Sequence, residues 1–221
     1  MTRLKHQQPV SGGNIRGRSD SPMARSRSPK GRAPMLPPVK ELCFLSAPPS
    51  SNGIKNMPLS YQHQTLAVTI NRVYSPFEPS SFVEGGTRLT LTVGLPKEWD
   101  ASFDCFEACL IHEVAERSDE FFGRPVAEEE VQAMYKPISK KTGDFPRTLR
   151  TKLNMAGTYR VRYWSTNKEA MDAPSPQSHA GMTYNARVAL RGLWFGEHAW
   201  GVVAECTDLQ LTEEAVSVCP F

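Results

Sequence analysis

Residues 136–168 form a strongly basic stretch whose side chains could bind phosphate groups noncovalently. The stretch carries nine Lys and Arg residues and a single acidic residue, Asp144. Aromatic side chains, among them Tyr163 and Trp164, stand between the cations. Cations displace the counterions condensed on nucleic-acid phosphates, and flat rings stack on bases. The stretch therefore predicts a nucleic-acid-binding surface.

The two-residue period of a β-strand sorts these side chains into faces. In 159–164 it places Arg160, Arg162 and Trp164 together, and in 185–191 it pairs Arg187 with Arg191. The predicted nucleic-acid-binding residues are Lys140, Lys141, Phe145, Arg147, Arg150, Lys152, Arg160, Arg162, Trp164, Arg187, Arg191 and Trp194. The simpler interpretation is a solvated barrel surface whose arginines pair with the acidic residues of 58–135.

A second group of reactive side chains lies at helix spacing. Cys105, Cys109 and His112 share one helical face, and zinc uses such ligands. A structural zinc site needs four ligands, and no second CxxC-type pair supplies the rest. The alternative is a pair of buried cysteines on the core face of an amphipathic helix. We predict no metal site.

Enzyme motifs are missing from the sequence. It contains no GxxxxGK[ST], no GxGxxG after a strand, no GxSxG and no HExxH. We therefore expect a protein without catalytic activity and without a cofactor.

The elements that position the basic stretch are mostly strands. Alternating apolar residues predict strands near 66–71 and at 88–94, and residues rich in Val, Tyr, Trp and Thr predict others at 158–165, 183–191 and 200–211. Helical spacing over 105–114 and 127–135 predicts two helices between the second and third strands. This order suits a small β-barrel or sandwich with an inserted helical segment.

Composition divides the chain into three parts. Residues 1–57 carry ten basic and two acidic residues and little to bury, which predicts a disordered basic arm with phosphorylatable Ser21-Pro22 and Ser28-Pro29. Within it, the apolar segment 41–45 either docks on the folded part or is a partner motif. Residues 58–212 form the predicted domain. Residues 213–221 form a short acidic tail ending in Phe221, which either binds a partner or is a frayed end.

The composition also bears on location. No apolar run approaches the roughly 18–20 residues that a membrane span needs, and the N-terminus has no apolar signal region. Five scattered cysteines do not form a disulfide framework. We expect a protein that is neither secreted nor bound to a membrane. The sequence leaves its oligomeric state open.

Spaced aromatic, glycine and basic positions resemble the OB-fold single-stranded DNA-binding proteins of large nucleo-cytoplasmic DNA viruses. The similar segments are 121–124, 128–131, 135–137, 145–146, 149–153, 184–192, 194–195, 200–201 and 209–211. The resemblance implies a five-stranded OB-like barrel that coats single-stranded DNA in replication, recombination or repair. It also implies a location in the nucleus or at a viral replication site.

The ending Pro220-Phe221 is similar to the acidic, Phe-ended tails of bacterial and phage single-stranded DNA-binding proteins, which recruit replication proteins. Here the tail is short, weakly acidic and contains Cys219. The prediction is therefore non-enzymatic, largely sequence-independent binding of single-stranded DNA, with Trp164→Ala costing about 1–3 kcal/mol of binding. The alternative is a structural or virion-type β-sandwich protein whose basic arm binds nucleic acid or a partner.

Overall fold

The computed structural model describes residues 36–45, 53–81 and 83–212. Most of the predicted basic arm, including both Ser-Pro sites, lies outside these residues. So does the tail 213–221 with Phe221. The fold below is that of the described residues.

The described residues are mostly β-structure. Eleven strands in this part of the chain join in one sheet. They are β1 (Leu42–Phe44), β2 (Lys55–Tyr61), β3 (Gln64–Tyr74), β4 (Arg88–Gly94), β5 (Tyr135–Lys136), β6 (Ser139–Lys140), β7 (Thr148–Asn154), β8 (Arg162–Trp164), β9 (Ala170–Met171), β10 (Thr183–Phe195) and β11 (Trp200–Leu211).

Five of these strands close into a ring in the order β3, β4, β7, β11, β10 and back to β3. The contact between β7 and β11 is parallel, with Lys152 opposite Glu205, and the other contacts around the ring are antiparallel. A closed five-stranded ring is the architecture of an OB-like barrel. The predicted fold class is confirmed, and the ring is not the two stacked sheets of a β-sandwich.

Side-chain alternation explains why the ring strands have an inside and an outside. On β4, Leu89, Leu91 and Val93 are buried, and on β7, Leu149 and Leu153 are buried. The residues between them point outward, since neighbouring side chains of a strand face opposite sides. Whether a basic residue occupies an inward or an outward position in this alternation, which we call its parity, decides whether its side chain can reach a ligand on the outer surface.

Three helices form an insert between β4 and β7, which we call the helical insert: α1 (Asp100–Glu116), α2 (Ser118–Phe122) and α3 (Glu128–Met134). On α1, Phe103, Phe106, Leu110 and Val114 are buried, as an amphipathic helix requires. In α2, the ring of Phe121 stacks on Phe195 with centroids 5.3 Å apart.

The expectation that Cys105 and Cys109 are buried is wrong. Both cysteines are exposed. The buried face of α1 contains Phe106 and Leu110, and each cysteine directly precedes one of these two residues in the sequence. His112 is also exposed, and its Nδ1 lies 2.9 Å from the Glu128 carboxylate. No cluster of three metal-binding side chains occurs in the described residues.

The folded part begins before the predicted boundary at residue 58. Leu36, Val39 and Leu42 are buried in the core, and β1 pairs with β2. The amide nitrogen of Leu36 donates a hydrogen bond to Ser102 Oγ on α1 at 2.8 Å. The apolar segment 41–45 therefore docks on the barrel, as one of its two interpretations proposed.

Two strand predictions need correction. Residues 158–165 form a strand over Arg162–Trp164 alone, and β7 was not recognised as a strand. In contrast, the structure gives β4 and β11 the bounds that the sequence predicts. No helix in the described part of the chain is long and apolar enough to cross a bilayer.

Candidate nucleic-acid interface

An open groove of about 900 Å³ runs over the outer face of β4, β7 and β11. The outward side chains of β4 and β7 form its floor. Its walls are formed by Ser81, Val83, Gly86, Thr87 and the segment 136–138. Its polar and aromatic lining residues are Asn56, Ser81, Thr87, Arg88, Thr90, Lys136, Arg150, Thr151, Lys152 and Trp194. We call this surface the groove.

The groove contains cations and no acidic residue. Arg88, Lys136, Arg150 and Lys152 line it, and none of its lining residues is Asp or Glu. Within the described ranges, Arg88, Lys136 and Arg150 lie within 4.0 Å of no carboxylate. The surface therefore carries a positive field that an anion can neutralise.

Lys152 is partly buried beside two of these cations. Burial, then the positive charges of Arg88 and Arg150, lower the pKa of its ammonium group. Its Nζ donates a hydrogen bond to Thr90 Oγ1 at 3.0 Å. Like charges held together at a partly buried position favour an anionic ligand, whose binding relieves the repulsion.

Trp194 places an indole ring at the groove. It lies opposite Gly201 in the pairing of β10 with β11. A Cβ atom at Gly201 would meet the Trp194 Nε1 atom at 3.0 Å and the Lys136 carbonyl oxygen at 2.8 Å. The glycine thus lets the ring lie close against the β11 backbone, where it offers a surface for a base.

Ser80, which precedes the groove residue Ser81, is tied to β4. It exchanges two backbone hydrogen bonds with Thr90, of 3.0 and 2.7 Å. Val83 lines the groove with 68% of its surface exposed. An apolar side chain beside a cationic floor suits a ligand with both bases and phosphates.

Arg147 differs from the groove cations. It is 5% exposed, and its Nε lies 3.4 Å from Asp100 Oδ1. Its guanidinium also pairs with Asp104 and donates to Ser139 Oγ at 2.8 Å. Arg147 joins α1 of the helical insert to the barrel, so we leave it out of the proposed binding surface.

Arg162 and Trp164 share one acidic partner. Arg162 pairs with Asp208 at 2.8 Å and lies over the Trp164 ring, 5.8 Å from its centroid. Trp164 Nε1 donates to Asp208 Oδ1 at 3.0 Å. Burial raises the pKa of Asp208, but the hydrogen bonds from Arg162, Trp164 and Thr207 outweigh it and the pKa is lowered. Asp208 therefore stays ionised and partly cancels the charge of Arg162.

The remaining predicted residues are scattered around the barrel. Lys140 and Arg160 are exposed, and the Phe145 ring is half exposed. Lys141 pairs with Asp100. Arg187 is exposed on β10, opposite Asp208. Of the twelve predicted residues, the structure brings Arg150, Lys152 and Trp194 together in the groove.

Arg191 is held by a buried acid. Its Nε lies 2.8 Å from the Glu205 carboxylate, which is 6% exposed. Glu205 also accepts a hydrogen bond from Asn154 on β7. This pair borders the groove, because Glu205 lies beside Lys152 in the sheet.

Sequence reasoning missed Arg88 and Val83 as groove residues. The signal for Arg88 was present, since it alternates with the buried Leu89 and Leu91 and so must face outward. Nothing in the sequence indicates the pairing of Ser80 with Thr90, which brings the residues next to Val83 to β4.

No protein-family model and no curated protein matches this chain. Solved structures of two bacteriophage proteins align with it at low identity. The single-stranded DNA-binding protein of bacteriophage Enc34, solved in complex with single-stranded DNA, aligns with a TM-score of 0.46 and 12% identity over 77% of this chain and 96% of its own. The single-stranded DNA-binding protein encoded by bacteriophage T7 aligns with a TM-score of 0.42 and 13% identity over 70% of this chain and 90% of its own.

Proposed function

We propose that this protein binds single-stranded DNA in the groove, without catalysis and largely without sequence preference. The observation that carries the proposal is a groove lined by four cations and by no acidic residue. A channel with this charge tracks a sugar–phosphate backbone, and the adjacent aromatic and apolar side chains accept bases of any identity.

Each part of the groove has a role in this proposal. Arg88, Arg150 and Lys152 contact phosphates and release condensed counterions. Trp194 stacks on a base. Val83 covers the bound strand from the side. Because these contacts reach phosphates and ring faces rather than base edges, they carry little sequence information.

We further propose that the protein coats single strands during replication, recombination or repair, in the nucleus or at a viral replication site. Sequence-independent binding is what such coating requires. Recruitment of replication proteins through Phe221 belongs to the same proposal. Removing residues 213–221 should abolish partner capture and leave the groove intact.

The proposal is tested by fluorescence polarisation with matched single- and double-stranded oligonucleotides over a salt series. The paired variant is Arg150→Ala/Lys152→Ala, and the control is Lys97→Ala/Arg124→Ala, which removes two exposed cations outside the groove. Hydrogen bonds to charged groups contribute about 1.5–3 kcal/mol each, so the groove variant should bind single strands about 100-fold more weakly. The magnitude of its salt slope should fall by about 1.4, while the control stays near wild type.

Equal weakening of binding by both variants would show that binding depends on the overall positive charge and not on the groove. Equal binding of single and double strands by the wild-type protein would also contradict the proposal.

The basic arm is the competing location for binding. Deleting residues 1–35 separates the two cases without cutting the fold, because Leu36 is buried and hydrogen-bonded to α1. Most single-strand affinity should survive this deletion if the groove binds DNA. A deletion to residue 57 would remove β1 and part of β2 and would not be informative.

A further inference from the structure

An aromatic ring next to the groove lies open to solvent with no packing role. Tyr159 is 70% exposed, the largest exposure of any large hydrophobic side chain in the described residues. Within the described residues its ring contacts Arg191, whose guanidinium carbon lies 5.7 Å from the ring centroid. A ring with one face supported and the other open has the form of a stacking surface.

The backbone holds this ring beside the groove. Tyr159 belongs to the loop 155–160, which the Val161 amide closes by donating to the Asn154 carbonyl oxygen at 2.8 Å. At the start of the loop, the Met155 amide donates to the Thr87 carbonyl oxygen at 2.8 Å. Thr87 lines the groove next to Arg88. The loop is therefore attached to the wall of the groove.

The Arg191 side chain is held in turn by a buried carboxylate. Glu205 accepts from the Nε of Arg191 and from Asn154, so it connects β10, β11 and β7. A guanidinium fixed in this way cannot turn freely toward a phosphate, and the neighbouring carboxylate offsets its charge. Its flat face remains available to support an aromatic ring.

We propose that Tyr159 is a base-stacking platform of the single-stranded DNA site, held in position by Arg191, which Glu205 fixes. This inference rests on the proposed function of the groove and extends the site beyond Trp194. A base leaving the Arg88–Lys152 floor stacks on the open face of Tyr159. The ring loses little conformational freedom on binding, because Arg191 already supports its other face.

The test compares Tyr159→Ala, Tyr159→Leu and Tyr159→Phe by fluorescence polarisation with a labelled oligothymidylate. Loss of one base stack should weaken binding roughly 5- to 150-fold for Tyr159→Ala. Tyr159→Leu should behave like Tyr159→Ala, while Tyr159→Phe keeps the ring and should stay within about twofold of wild type. Phe77→Ala, which removes an exposed ring that does not line the groove, should change nothing.

The salt series separates stacking from charge. Tyr159→Ala removes no cation, so its salt slope should match that of wild type, unlike Arg150→Ala/Lys152→Ala. Unchanged affinity in Tyr159→Ala, with weak binding in the groove variant, overturns this inference and leaves the proposed function standing. Unchanged affinity in the groove variant overturns the proposed function itself. Equal affinity of the Leu and Phe variants excludes stacking.

The positioning role of Arg191 is tested by a double-mutant cycle. The variant used is Arg191→Lys, which keeps a charge near Glu205 but has no flat face. Arg191→Ala is avoided, because it would leave the buried Glu205 carboxylate unpaired beside Lys152. If Arg191 acts through the ring, Arg191→Lys should weaken binding in wild type and have no further effect in Tyr159→Ala. Additive effects would show that Arg191 contributes independently of the ring and would overturn its positioning role.

Discussion

The cations of the groove and the arginine behind the helical insert carry the same charge in opposite surroundings. Arg147 is buried and pairs with Asp100 and Asp104. Lys152 has Arg88 and Arg150 as neighbours, and burial, then these charges, lower its pKa. Folding gives the first charge acidic partners and holds the second beside like charges. The difference distinguishes a residue that joins two parts of the fold from the residues that we propose bind DNA.

The largest effect on stability is expected at Arg147. Arg147→Ala leaves Asp104 without its partner and Asp100 with Lys141 alone. It should lower the free energy of unfolding by about 3 kcal/mol, the lower end of the range for breaking a buried pair, since Asp104 is largely exposed. Chemical denaturation measures it. The folded fraction should still bind single-stranded DNA like wild type. A loss of affinity without a loss of stability would instead place Arg147 among the DNA-binding residues, together with the groove cations.

The two half-buried tryptophans, Trp194 and Trp164, allow a second comparison between a residue that lines the groove and a residue that is held by partners within the fold. Trp194→Ala should weaken single-strand binding by about 1–3 kcal/mol, because its ring lines the groove. Trp164→Ala should cost about 1 kcal/mol, the lower end of that range, because Arg162 and Asp208 already engage the ring. Titration of both variants with the same oligonucleotide measures the order, and a larger effect at Trp164 would move the site toward β8.

Arg162 tests whether an ion-paired surface arginine takes part in binding. Removing it also leaves Asp208 unmatched, so the net effect of Arg162→Ala on affinity should be below about threefold, as for an exposed pair. Arg162→Ala/Asp208→Asn should bind like wild type. A strong loss in the double variant would show that DNA displaces Asp208 and takes Arg162 as a direct contact.

The smallest effect on stability is expected at Lys152, and the sign of this effect distinguishes a structural residue from a binding residue. A lowered lysine pKa means that folding disfavours the protonated form, so Lys152→Met should leave the melting temperature unchanged or raise it slightly. Binding should weaken in the same variant. A clear drop in melting temperature would make Lys152 a structural residue like Arg147.

The affinity for DNA should also depend on pH, in the direction opposite to that of stability. As pH rises through the lowered pKa of Lys152, the lysine loses its charge and affinity should fall before an ordinary lysine would titrate. A deoxyadenosine oligonucleotide, whose bases do not titrate between pH 8 and 10, measures this at constant ionic strength. Lys152→Met should lack this fall in affinity.

Strand alternation in the sequence predicted the ring strand β4, and richness in Val, Tyr, Trp and Thr predicted β11. Alternation could also have sorted the basic residues of β7. Arg147 has the same parity as the buried Leu149 and Leu153, whereas Arg150 and Lys152 have the opposite parity. Recognition of β7 would have separated the structural arginine from the groove cations. The partners of these residues could not be predicted, because Asp100 and Glu205 meet them only through tertiary contacts far apart in sequence.

Photocrosslinking of the full-length protein to a single-stranded oligonucleotide with 5-bromodeoxyuridine tests the central claim most directly. Mass spectrometry then identifies the peptides that carry DNA. We predict crosslinks in β4, in β7 with the following loop 155–160, and near Trp194, and their loss in Arg88→Ala/Arg150→Ala/Lys152→Ala. Crosslinks confined to residues 1–35, to residues 213–221 or to α1 of the helical insert would contradict the assignment of DNA binding to the groove.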